Sequence, residues 1–179
     1  MRFSISRLLF VAAIVALIAF VYTSNLFPVE TRSVNRYLAS KSQFQTNLVS
    51  HFPSKQPNSS TNPVFSFFPG MLQGGAWLQL RVETSSEDAQ NISQRLNAET
   101  THTYKGGSFF TNNILEPDNY WQIPPYHTYR RDNKAFEFPD HFTLYVHYMR
   151  DGGAWNHGET AGTAVSLKTN EVIYWAENW

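Results

Sequence analysis

The chain contains no cysteine. Disulfides, thiolate metal sites and cysteine nucleophiles are therefore excluded, and the fold must be held by its core alone. Net charge is also missing, since 14 Lys and Arg balance 14 Asp and Glu. The balance is uneven along the chain. Residues 64–179 hold eight basic against thirteen acidic residues, a net of −5. Nucleic acid requires a basic footprint, so a nucleic-acid partner is not expected. The glycine-rich phosphate and dinucleotide fingerprints are absent, and so is the G-x-S-x-G nucleophile turn. Six histidines are present: His51, His102, His127, His141, His147 and His157. None pairs with another at the i, i+4 spacing of a helical zinc motif. They read as ordinary surface or partly buried histidines, and neither a metal nor a cofactor is expected.

One further absence is local. No charge occurs between Arg7 and Glu30. The twenty-two residues from Leu8 to Val29 would span about 33 Å as a helix, enough for a hydrocarbon core of about 30 Å. Their apolar side chains occur all round, whereas a core helix of a small domain keeps one polar stripe. A cleaved signal would need a small-x-small site, and none is well formed after Ala19, Thr23 or Ser24. Residues 8–27 are thus expected to sit in a lipid bilayer as an uncleaved, single-pass anchor. Secretion after signal cleavage is the alternative. Arg2 and Arg7 put the N-terminus in the cytoplasm and the rest outside, although Arg32, Arg36 and Lys41 follow soon after. The basic stretch at 30–60 reads as a solvated helix face, with contact to anionic lipid as the alternative.

The opening "MRFSISRLLF" and its apolar run resemble the start of small, uncharacterised bacterial single-pass membrane proteins. The likeness covers about the first twenty residues. It implies a bacterial single-pass protein and no particular activity.

After the anchor (1–29), residues 30–63 read as an amphipathic helix, either a stalk or the first element of the domain, and a linker. Val34, Tyr37, Leu38, Phe44, Leu48 and Phe52 follow helical spacing, with Ser33 as N-cap and Pro53 as stop. "PSKQPNSSTNP" reads as a loop. The domain proper is placed at 64–179, and its twenty aromatic residues are enough for a compact core. Residues 76–83 alternate as a half-buried strand. Residues 86–98 form a helix capped by Ser85 or Ser86. Residues 142–149, 161–167 and 171–176 make a three-stranded antiparallel meander, with Asn170 in the final turn. The fold class is α+β: one antiparallel sheet covered by helices on one face. Helix 86–98 is expected over the face bearing Leu78, Leu80, Leu144 and Val146. Residues 105–140 cannot be assigned to elements.

Two segments, 119–131 and 150–160, read as long loops of mixed chemistry, and loops carry function more often than sheet faces. They nominate Trp121, Tyr126, Arg130, Trp155, His157 and Glu159 as one concave ligand-binding surface for a protein or carbohydrate. The expected function is that of a non-enzymatic binding module outside the cytoplasm. The alternatives are a hydrolase using His157 or the carboxylates Asp118, Asp132, Glu137 and Glu159, and an accessory subunit of a membrane complex.

Overall fold

The computed structural model describes residues 5–23, 29–54, 61–70, 75–107, 128–132, 134–154 and 157–178. Helix α1 (Ile5–Thr23) comes first and is nineteen residues long. It presents large apolar side chains to the outside on every flank: Leu9 64%, Phe10 67%, Val15 60% and Leu17 62% exposed. The reading of this segment as a buried core helix is thereby excluded. Nineteen residues make about 28 Å of helix. Among the described residues no helix is long and apolar enough to cross a membrane. The stretch that would complete a span, 24–28, lies outside the described residues.

The domain is built on one seven-stranded antiparallel sheet. Its strands are β1 (Val29–Thr31), β2 (Thr61–Phe68), β3 (Trp77–Glu83), β4 (His102–Lys105), β7 (Thr143–Ala154), β8 (His157–Ser166) and β9 (Glu171–Asn178). Their spatial order is β1-β2-β3-β9-β8-β7-β4. The expected meander is β7-β8-β9, and β3 pairs with β9 along its whole length. Asn170 takes the left-handed conformation expected in the β8–β9 turn, with φ 56. A separate hairpin, β5 (Thr128–Arg131) and β6 (Lys134–Glu137), turns through Asp132 at φ 52. This hairpin and β4 occupy part of the stretch that sequence pattern left unassigned. Residues 108–127 lie outside the described residues.

Helices cover one sheet face. Helix α4 (Ser86–Glu99) starts where its cap predicts: the Ser85 side chain accepts from the Asp88 amide at 3.0 Å. Ala89 and Leu96 point inward from it. The expected single helix before Pro53 is instead two, α2 (Val34–Lys41) and α3 (Thr46–Val49). Ser33 caps the first as expected. Tyr37, Leu48, Val49 and Phe52 join Phe65, Phe67, Leu78, Leu80 and Val82 in the core of this face. The bend between the helices is clamped from both sides. Tyr37 Oη donates to the Pro53 carbonyl at 2.7 Å, and Lys41 Nζ donates to the Phe52 carbonyl at 2.9 Å. Strand β1 and helices α2 and α3 therefore pack with the sheet domain.

The opposite face is also covered. Tyr129, Phe138 and Phe142 pack over Leu144, Val146, Ala164, Ile173 and Trp175. This corrects the expected phase of β7. Leu144 and Val146 lie under the aromatic layer, not under the helices. Tyr145 turns toward α4, where its hydroxyl meets the Ser93 hydroxyl at 2.8 Å. Strand β3 is likewise buried on both faces from Trp77 to Leu80, Gln79 included. Alternation tells two faces apart only when one of them is wet, and here neither is.

Gly162 sits where the two layers depend on each other. A Cβ built there would overlap the Trp175 ring on the adjacent strand and the Tyr145 carbonyl. Both obstacles are buried and neither can swing aside. Gly162→Ala is expected to cost about 1–3 kcal/mol or more by overpacking. Urea denaturation monitored by tryptophan fluorescence checks this, and an unchanged midpoint would refute the packing described.

Candidate functional site

Of the six nominated residues, Trp121, Tyr126 and Trp155 lie outside the described residues. His157 opens β8, paired with Ala154. The segment 150–160 is therefore mostly strand, with a register shift between Asp151 and Ala154. Gly152 and Gly153 fall at that irregularity, which is why the stretch reads as a loop in sequence.

Arg130 and Glu159 are both well placed in the fold. Arg130 comes from β5. Its guanidinium carbon lies 3.9 Å from the Trp77 ring centre, and its Nη2 is 3.8 Å from Glu177 Oε1. Its backbone amide donates to Gln79 Oε1 at 2.9 Å. Burial lowers its pKa from the ordinary value, and Glu177 opposes that shift. A cation stacked on an indole and facing a carboxylate is a stable way to bury arginine.

Glu159 is buried and receives three donors. Arg150 Nη2 is 3.0 Å from Oε1, Gln45 Nε2 donates to Oε1 at 3.1 Å, and Tyr148 Oη donates to Oε2 at 3.2 Å. Gln45 starts α3, so this carboxylate fastens the helical segment to the β7–β8 hairpin. Arg150 keeps 60% of its side chain exposed. Its contribution is therefore that of a partly screened ion pair, on the order of 1 kcal/mol or less.

These two clusters occupy one end of the sheet but opposite faces. Thr160 and Trp77 both pair with Glu177, so Glu177 and its partner Arg130 belong to the aromatic-layer side. Glu159 is the next residue along β8, and successive strand residues face opposite ways. Arg130 and Glu159 therefore do not line a common surface. Nor do the carboxylates proposed for hydrolysis assemble across a cleft. Asp132 is a highly exposed residue in the β5–β6 turn, Glu137 is exposed at the end of β6, and Glu159 is buried beside α3. Asp118 lies outside the described residues.

The structure brings together two histidines that sequence spacing could not pair. His51, just after α3, stacks on His147 of β7 with ring centres 4.8 Å apart and planes tilted by 34°. A register shift between Val146 and Tyr148 leaves His147 as the extra residue of a bulge. Bulges re-aim side chains, and this one turns His147 toward the helices. His51 Nε2 donates to the Gly162 carbonyl at 2.8 Å, and His147 Nε2 meets Thr163 Oγ1 at 3.0 Å. Because a carbonyl only accepts, neutral His51 carries its proton on Nε2. Its Nδ1 has no hydrogen-bond partner among the described residues. Phe52 and Tyr174 line the same spot.

Burial, then the neighbouring His147, lowers the His51 pKa to about 3. The Gly162 and Trp175 backbones oppose this and Lys41 adds to it. Burial also lowers His147, with Glu99 opposing and Arg95 assisting. Both rings are thus neutral at neutral pH, and His51 is too weak a base to take a proton in catalysis there. Stacked rings also do not aim their lone pairs at one point. Among the described residues no three His, Asp or Glu side chains gather as metal ligands.

Compared with known proteins, the chain matches no family model, no curated protein and no solved structure.

The imidazole pair has a thermodynamic consequence. Below about pH 6.5 an unfolded chain protonates both rings, while the folded chain resists doing so. Stability is thus fully present above that pH and falls as the pH drops toward about 3, by up to about 1.4 kcal/mol per pH unit for His51. His51→Phe is expected to remove that share of the slope between about pH 6.5 and pH 4. Urea midpoints of both proteins across this range decide it. Parallel curves would mean that His51 titrates normally.

Proposed function

We propose that the chain is a membrane-tethered binding module, with α1 in the bilayer and the sheet domain outside the cytoplasm. The observation that carries this reading is the outward display of Leu9, Phe10, Val15 and Leu17 on all flanks of α1. A helix exposing apolar side chains all round is stable in lipid and unstable in water. The uncharged run continues past the helix as far as Pro28, just before β1, which brings its total length close to that of a hydrocarbon core. The basic N-terminal tail, with Arg2 and Arg7, supports a cytoplasmic N-terminus.

Binding rather than hydrolysis is supported by what the buried polar groups do. Glu159 spends its lone pairs on Gln45, Tyr148 and Arg150. His51 is held neutral between helix and sheet. These groups serve to dock the helices. The ligand class we favour is a protein or carbohydrate met at the sheet end that carries Arg150.

Membrane fractionation tests the tether. The full chain should remain in the pellet after alkaline carbonate washing. With Lys168→Cys as its sole thiol, it should react with a membrane-impermeant maleimide added to intact cells. Recovery of a soluble chain beginning near residue 24 would overturn the anchor. Labelling that occurs only after lysis would overturn the orientation.

A further inference from the structure

Helix α2 carries two large apolar side chains that stay exposed among the described residues. Val34 is 43% and Leu38 45% exposed, although Tyr37 between them is buried. Their spacing of four residues places them one above the other on the helix. Val34 also lines an apolar hollow with Tyr37, Pro63, Phe65 and Leu80, and Arg32 stands beside it. The surroundings are basic. Arg32 and Arg36 are exposed, and no Asp or Glu occurs between Glu30 and Glu83.

The tether limits where this strip can be. Five residues, 24–28, separate Thr23, at the end of α1, from Val29, at the start of β1. They reach at most about 20 Å even when fully extended. Arg32 and Val34 follow within five residues of Val29. An α1 held in the bilayer therefore keeps the start of α2 close to the membrane surface.

We infer that α2 docks on an anionic lipid surface, with Val34 and Leu38 at the boundary between head groups and acyl chains and Arg32 on the lipid phosphates. The inference rests on the membrane-tether reading above. An apolar strip with a basic residue at its membrane-proximal end matches the pattern of an interfacial helix. Each arginine near an anionic leaflet raises surface occupancy by about fivefold. The interaction would lay the domain on the bilayer by its helical side and turn the aromatic-layer side outward.

The natural chain has no cysteine, so single probes are unambiguous. The full chain is reconstituted into vesicles of phosphatidylcholine, with or without phosphatidylserine, and nitroxide-labelled lipids quench a fluorophore on one introduced cysteine. Val15→Cys reports the tether. Leu38→Cys and, independently, Val34→Cys report the strip. Arg131→Cys on the β5–β6 hairpin reports the opposite face. Quenching at 15, 34 and 38 but not at 131 is expected in the presence of phosphatidylserine. It should weaken at 34 and 38 without that lipid, and about fivefold with Arg32→Gln. If 15 is quenched while 34 and 38 behave like 131, the docking is wrong and the tether stands. Equal quenching at 34 and 38 on both vesicle types overturns the anionic partner. If 15 itself is not quenched, the tether fails and the docking fails with it.

Discussion

The Trp175 ring lies against the bare α-carbon of Gly162 on the neighbouring strand, and that contact sets the spacing of everything above and below it. On one side the ring is wholly buried under Phe138, 5.8 Å away centre to centre. On the other side the Gly162 carbonyl accepts the His51 proton. The register of β7 against β8 shifts beside this glycine, so His147 bulges into the same place. One residue without a side chain thus lets an indole seat on one face, while its backbone carbonyl receives the imidazole from the helical layer.

Polar side chains then fasten the helices to the sheet. His51 reaches Gly162, Gln45 reaches Glu159, and Ser93 reaches Tyr145. Each such bond contributes only about 1 kcal/mol net, whereas a buried group left without its partner costs more. Their larger role is to select one arrangement of short helices that have little propensity to stand alone. Helix α3 is four residues long, and α2 is eight. Isolated helices of that length do not persist in water, so packing and these ties must hold them. Neutral histidines suit this task near neutral pH because they hydrogen-bond without bringing a charge into the core.

The central strands β8 and β9 are buried on both faces, and this has a functional consequence. Among the described residues, a ligand meets the sheet at its edges, its strand ends or the outer side of a covering layer. The surface that remains is chemically divided. The start of α2 is basic and apolar. The sheet end with Arg150 offers an exposed guanidinium held in place by a buried carboxylate.

The sequence alone was enough to establish the α+β class, the β7-β8-β9 meander, the β3 strand, helix α4 with its Ser85 cap, and the Asn170 turn. These features depend on neighbours a few residues apart, so local pattern carries them. It did not reveal that β1, α2 and α3 pack with the sheet domain, since a helix face shows that it is apolar and not what it packs against. It placed Leu144 and Val146 under the helices, because alternation cannot say which of two buried faces receives which layer. It joined Arg130 and Glu159 in one site, and only the register puts them on opposite sides of the sheet. The His51–His147 pair was invisible for the same reason. Two rings from distant segments meet only when a bulge and a helix end are fixed by the whole fold, and no spacing along the chain encodes that meeting.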